Sequence, residues 1–126
     1  MFKVGDRVWV ISEKRYGIVS DIEDTPQGLF IHIDNRHSYV THLIHQTAQT
    51  MFEELGYEKK LEDGSFIIFE YFNFENPFIT ELRIDKINKC HTLSYYTKNN
   101  KIFSGRIDVK LLQAIYQLYI EKGWVE

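Results

Sequence analysis

Charged and uncharged side chains alternate in the stretch Thr80-Glu81-Leu82-Arg83-Ile84-Asp85. Successive side chains of a β-strand point to opposite faces of its sheet, so this alternation predicts a strand with one covered face and one solvent face. Such a strand belongs in an antiparallel sheet. The strands predicted for this sheet are Tyr57 to Leu61, Phe66 to Phe72, Phe78 to Asp85, Cys90 to Tyr96 and Ile102 to Ile107, with Asp63-Gly64 as a hairpin signal between the first two.

Two helices are predicted to flank the sheet. The first spans Ala48 to Leu55, and Gly56 is expected to close it in the left-handed conformation. The second spans Val109 to Lys122, with Asp108 as its cap and Gly123 after its end. The helix faces expected to be buried are Met51, Phe52 and Leu55 in the first helix and Val109, Leu112, Ile115, Tyr116 and Tyr119 in the second, with Gln113, Gln117 and Glu121 on the opposite side.

Short β-branched and aromatic runs separated by turn residues fill the first 46 residues. The sequence Val4-Gly5-Asp6-Arg7-Val8, followed by Tyr16-Gly17-Ile18-Val19, resembles the start of the five-stranded SH3-like barrels of the KOW and Tudor-like kind. We therefore expect an α+β fold. A small SH3-like β-barrel lobe (residues 1–46) precedes a lobe of helix, antiparallel β-meander sheet and C-terminal helix (residues 47–126), and the two lobes are expected to form one compact unit with a shared core.

Composition places the chain among folded proteins. It has 126 residues, of which 44% are hydrophobic and 26% charged, values that argue for a packed core and against disorder. No apolar run is long enough for a transmembrane helix, and the amino terminus does not resemble a signal peptide. The single cysteine, Cys90, agrees with a reducing compartment. The predicted location is the cytoplasm.

The sequence carries no motif of a known catalytic site. It has no phosphate-binding loop, no G-x-G-x-x-G fingerprint and no nucleophile motif. We therefore predict a non-enzymatic protein that binds another macromolecule.

Charge is distributed unevenly along the chain. Residues 50–81 hold eight acidic and two basic side chains, whereas residues 82–122 hold eight basic and three acidic ones. This asymmetry predicts either opposed surface patches that attract a charged partner, or neighbouring strands that pair opposite charges. Under the first interpretation the candidate partner-binding residues are Glu53, Glu54, Tyr57, Glu58, Glu62 and Asp63, with Tyr57 as an aromatic anchor.

Histidine and cysteine spacing suggests a metal site. His42-x-x-His45 would place two imidazoles on one side of a helical turn, and Cys90 or His91 could complete a tetrahedral zinc site, with His37 as a reserve ligand. The second close pair typical of zinc fingers is absent. The alternative is that these are ordinary polar histidines and a small buried thiol.

A nucleic-acid-binding or transcription-related role for the SH3-like lobe is the alternative function. Trp9, Tyr16 and Tyr39 could stack bases, or they could serve as packing residues. The five basic residues of this lobe are opposed by six acidic ones, so no basic surface accumulates.

Two sequence blocks carry a second resemblance. Residues 51–59, MFEELGYEK, and residues 111–115, LLQAI, followed by Gly123-Trp124, resemble small accessory proteins encoded by phages and prophages of low-GC Gram-positive bacteria. The chain departs from that group at Tyr116 and Lys122. The resemblance implies an inhibitor of a host defence protein, and it brings in the anti-CRISPR class, whose members would act on a Cas9-type nuclease through an acidic surface.

Overall fold

The computed structural model describes residues 2–72, 79–96, 102–104 and 108–125. These ranges contain two α-helices and ten strands, and the strands form two antiparallel five-stranded sheets. This confirms the α+β class. The chain divides into two compact units, the first of residues 1–47 with 121–123 and the second of residues 48–120 with 124–126. No helix within the described ranges is long and apolar enough to cross a membrane.

Five strands and a 3-10 helix build the first unit. Their order in the sheet is β4-β3-β2-β1-β5, and each neighbouring pair is antiparallel. The described ladders leave the sheet open between β4 and β5, and the SH3-like barrel stays a prediction. The elements are β1 (Arg7–Val10), β2 (Arg15–Thr25), β3 (Gly28–Ile33), β4 (His37–Val40), the 3-10 helix (Thr41–Leu43) and β5 (Ile44–Gln46).

Close packing and a carboxylate hold the turn between β3 and β4 against β2. A Cβ atom on Gly17 would lie 2.3 Å from Cγ2 of Ile33, so only glycine fits there. Asp34 has a φ of 53°, and its carboxylate accepts hydrogen bonds from the backbone N–H of Ile18 and from Arg15, each at 3.0 Å. These bonds lower the pKa of Asp34, the Ile18 bond most strongly. The core of this unit consists of Val8, Val10, Val19, Ile31, Ile33 and Ile44.

The second unit contains the predicted meander. Its strands run in the order β10-β9-β8-β7-β6, so each strand lies next to the strand that precedes or follows it in the sequence. The predicted linker 97–100, Phe78 and residues 105–107 lie outside the described residues. The elements are α1 (Ala48–Glu54), β6 (Glu58–Glu62), β7 (Phe66–Phe72), β8 (Ile79–Asp85), β9 (Cys90–Tyr96), β10 (Ile102–Ser104) and α2 (Val109–Glu121).

Both helices contribute to a core on one face of this second sheet. Phe52 of α1 is fully buried and its ring stacks on that of Phe69, with centroids 4.2 Å apart. Met51 and Leu55 pack against the same core, which confirms the predicted face of α1. The other buried members are Ala48, Ile67, Leu82, Ile84, Leu93, Leu111, Ala114, Ile115 and Leu118.

Local turn chemistry follows the sequence closely. Gly56 ends α1 with a φ of 92°, as predicted. Asp63 accepts hydrogen bonds from the backbone N–H groups of Ser65 and Phe66 at 2.7 and 2.8 Å, which shapes the hairpin between β6 and β7. Asp108 caps α2 through a 2.8 Å bond from the N–H of Leu111.

The predicted buried face of α2 is wrong in part. Val109, Leu112 and Tyr116 are exposed, whereas Gln117, expected on the solvent side, is buried with a relative exposure of 5%. Apolar side chains occur on nearly every side of this helix, so their spacing alone does not choose a face. Packing against the sheet decides it, and the buried set is Leu111, Ala114, Ile115, Gln117 and Leu118.

Candidate functional site

The face of the second sheet opposite the core carries both large apolar and acidic side chains. Because strand side chains alternate, the residues between the buried Ile67 and Phe69 of β7 and the buried Leu82 and Ile84 of β8 point away from the core. We call this surface the open face. The register of β6 to β9 assigns the following residues to the open face: Glu58, Leu61, Phe66, Ile68, Glu70, Phe72, Ile79, Glu81, Arg83 and Tyr96.

Large apolar side chains lie partly exposed at one end of the open face. Phe72 pairs directly with Ile79, and Ile79 pairs with Tyr96 on the next strand. Phe72 is 50% exposed and Ile79 is 36% exposed. Leu61 and Ile68 form a second apolar pair between β6 and β7. Adjacent exposed hydrophobic residues of this kind mark interaction surfaces in proteins.

Three glutamates form a row across the same face. Glu58 of β6 pairs with Glu70 of β7, and Glu70 pairs with Glu81 of β8. Directly opposite residues in an antiparallel pair have Cβ atoms about 4.5–5.5 Å apart, and like charges at that spacing destabilise the sheet. We call this set the glutamate row.

The outer members of the glutamate row have partners of their own. Glu58 forms an ion pair with Lys60 at 3.1 Å. Glu81 lies 3.6 Å from Nη2 of Arg83 and accepts a 2.5 Å hydrogen bond from the hydroxyl of Tyr96. That hydrogen bond, followed by burial, raises the pKa of Tyr96. Glu70, the central member, has no cationic partner among the described side chains.

The six predicted partner-binding residues are distributed over α1, β6 and the chain directly after each of them. Glu53 and Glu54 are exposed on α1, whose Phe52 faces the core. Tyr57 is partly buried beside Phe52 and Tyr71, with ring centroids 6.3 and 5.7 Å away.

Three further members of that set lie on β6 or directly after it. Glu58 belongs to the glutamate row. Glu62 pairs with Lys59 and Lys86 at 2.9 and 3.2 Å. Asp63 accepts the turn hydrogen bonds. Of the six, Glu58 alone belongs to the open face as defined above.

Sequence reasoning did not single out Glu70 and Glu81 as binding residues. Both lie in the acidic stretch, but their juxtaposition depends on the pairing register of β7 with β8. The available signal was the alternation of charged and apolar residues in β8, which assigns Glu81 to the solvent side, whereas β7 carries Glu70 as its one charged residue and shows no such alternation. It does not say which glutamate faces which.

The candidate zinc ligands lie in different elements. His42 is in the 3-10 helix, which ends at Leu43, so His45 falls in β5 rather than in the same helical turn. Nδ1 of His45 is 2.7 Å from the carbonyl oxygen of Gln46. His37, the reserve ligand, lies edge-on to Tyr39 within β4.

The two ligands predicted from the second unit lie at the start of β9. Cys90 is exposed, and Nδ1 of His91 is 2.8 Å from the hydroxyl of Tyr119. Within the described ranges no group of three or more His, Cys, Asp or Glu residues is arranged to hold a metal ion. The zinc site stays a prediction, to be tested by elemental analysis of the purified protein.

The aromatic residues proposed for base stacking have other contacts in the first unit. Trp9 is buried and its ring lies edge-on to Tyr16, with centroids 5.0 Å apart. The guanidinium of Arg7 covers the Tyr16 ring at 4.1 Å. The hydroxyl of Tyr39 bonds to Arg15 and Glu13. The burial of Trp9 and the Arg7 contact with the Tyr16 ring favour packing for these two residues, and base stacking stays a prediction.

Comparisons of the chain with protein-family models, with curated proteins and with solved structures found no match.

Proposed function

We propose that this protein is a non-enzymatic binding protein that docks its open face on a positively charged surface of a protein partner. The observation that carries the proposal is the exposed pair Phe72 and Ile79 beside the glutamate row. Apolar side chains supply the area that is desolvated on binding, and carboxylates select a partner of opposite charge.

The cost of the glutamate row also supports a binding role. Three carboxylates at directly opposite positions weaken the sheet when the protein is alone. A partner cation near Glu70 would offset that repulsion. An arrangement that is unfavourable in the free protein and favourable in a complex is typical of binding surfaces.

We propose more specifically that the partner is a host defence nuclease of the Cas9 type, which this protein inhibits. The resemblance of residues 51–59 and 111–115 to phage and prophage accessory proteins supports it. The channel that holds guide and target in such a nuclease is strongly basic, and its positive charge is complementary to the negative charge of the glutamate row. Inhibition would follow from stoichiometric occupation of that channel and needs no catalytic residue.

Titration against a Cas9–guide RNA complex tests whether the protein inhibits a Cas9-type nuclease. We expect a stoichiometric complex and loss of DNA loading with the unmodified protein. Glu70→Lys should weaken binding, since it places a positive charge in the centre of the open face. Asp24→Lys is the charge-matched control, because Asp24 is exposed on β2 of the first unit. Failure to form a complex with the nuclease would refute the proposal of a Cas9-type target.

Affinity purification from host lysate tests whether the open face binds a protein partner of any kind. A partner should be recovered with the unmodified protein and with Asp24→Lys, and lost with Phe72→Ser and with Glu70→Lys. Phe72 is exposed and Glu70 is half-buried, and thermal melting verifies that both variants are folded. A specific partner that both open-face variants retain would contradict the proposal.

A further inference from the structure

Arg83 indicates what the open face can accommodate. Its guanidinium carbon lies 5.4 Å from the ring centroid of Phe66, and Nη2 lies 3.6 Å from Oε1 of Glu81. An arginine between an aromatic ring and a carboxylate combines a cation–π contact with an ion pair. The protein thus supplies one arginine to its own glutamate row, and that side chain is 47% exposed.

Glu70 also has an aromatic neighbour on the open face. Phe72 follows it two residues later on the same face of β7, so an aromatic ring lies beside the carboxylate. The nearest glutamates have partners already, since Glu58 pairs with Lys60 and Glu81 contacts Tyr96 and Arg83. The described residues supply no cation to Glu70.

We propose that Glu70 and Phe72 bind an arginine side chain presented by the partner, through the same two types of contact, with a carboxylate and with an aromatic ring, that Arg83 makes with Glu81 and Phe66. This inference rests on the proposed function and adds the chemistry of the contact. Arginine fits better than lysine, because its planar guanidinium can engage a carboxylate with two N–H groups and lie flat on a ring. The occupant of the open face is therefore an arginine-bearing protein segment.

The apolar neighbours strengthen this contact. Ile68 and Phe72 flank Glu70 along β7, and Ile79 lies opposite Phe72. A partner segment that covers these side chains would exclude water from the carboxylate, and an ion pair gains strength when water is excluded. An extended segment with apolar residues beside its arginine suits the face best.

Two matched peptides test the inference. Both are ten residues long and alternate leucine with a basic residue, one with arginine and the other with lysine. In a chemical-shift titration we expect the arginine peptide to shift the amides of residues 66–72 and 79–85, and to bind several-fold more tightly than the lysine peptide. Glu70→Gln should weaken the arginine peptide about tenfold. Asp24→Asn should leave its affinity unchanged.

Other outcomes separate this inference from the proposed function. Equal affinity for the two peptides, or unchanged affinity in Glu70→Gln, would overturn the arginine contact. If the partner recovered from lysate is lost with Phe72→Ser but retained with Glu70→Gln, the open face stands as the docking surface and the arginine contact fails. Thermal melting of Glu70→Gln verifies that the variant is folded in every titration.

Discussion

Glu70 and Glu81 lie directly opposite each other on β7 and β8, on the face of the second sheet that points away from the core. Glu58 extends the same row on the other side of Glu70. Among the contacts of the described residues, Glu81 alone of the three meets both a cation and a hydroxyl, through Arg83 and Tyr96. The row therefore concentrates negative charge at its centre.

Glu70→Gln should raise the stability of the isolated protein by about 0.5–1 kcal/mol, because it removes the like-charge pairs with Glu58 and Glu81. Urea unfolding measures the change. Glu62→Gln is the matched control, and it should leave stability unchanged or slightly lower, since Glu62 pairs with Lys59 and Lys86. A clear loss of stability in Glu70→Gln would mean that Glu70 has a structural role.

Asp63→Asn should lower stability in a pH-dependent way. Hydrogen bonds from Phe66 and Ser65, and the charge of Lys86, lower the pKa of Asp63 below its ordinary 3.8. The folded state thus keeps the carboxylate ionised to lower pH than the unfolded chain does. Its contribution is complete above about pH 4 and is lost as pH falls through the folded-state pKa. Stability curves of the two proteins should therefore converge in acid, and a gap that widens there would contradict the assignment.

Gly56→Ala should destabilise the protein by about 1–3 kcal/mol. Gly56 has a φ of 92°, which is costly for any residue with a Cβ atom, and that atom would lie 2.6 Å from Cε2 of Tyr71. Gly64→Ala is the control within the same unit, because a Cβ there meets nothing within 4 Å. Thermal unfolding compares the two, and equal effects would show that the end of α1 tolerates a side chain.

A pair of substitutions on α2 tests which face of the helix is buried. Leu118→Ala should cost about 2–5 kcal/mol, since it removes a buried side chain from the core. Tyr116→Ser should change stability by less than about 0.5 kcal/mol, because Tyr116 is exposed. Chemical denaturation gives both values. The reverse ranking would restore the face predicted from the sequence.

Much of the architecture is readable from the sequence because local rules dictate it. Asp63-Gly64, Gly56 and Asp108 act through their own backbone geometry, and each does in the structure what its residue type predicts. The alternation in residues 80–85 identifies the core face of β8 for the same reason. The buried face of α2 escaped prediction, because that helix is apolar on several sides and tertiary packing makes the choice.

The candidate site was less accessible to sequence reasoning. Local charge count draws attention to Glu53, Glu54 and Glu62, yet Glu62 has cationic partners in space. The glutamate row arises from pairing between strands, and a single sequence does not specify which residues on two strands face each other. An exposed Phe72 likewise cannot be distinguished from a core phenylalanine until the sheet is assembled.

Hydroxyl-radical footprinting of aromatic side chains tests the central claim most directly. Phe72 and Tyr116 are nearly equally exposed, at 50% and 53%, and they belong to the open face and to α2 respectively. The measurement compares each residue with itself, in the free protein and in the complex with the Cas9-type nuclease or with the partner recovered from lysate. The docking model predicts that binding lowers the modification rate of Phe72 several-fold and leaves that of Tyr116 unchanged. Protection of Tyr116 with no protection of Phe72 would contradict it.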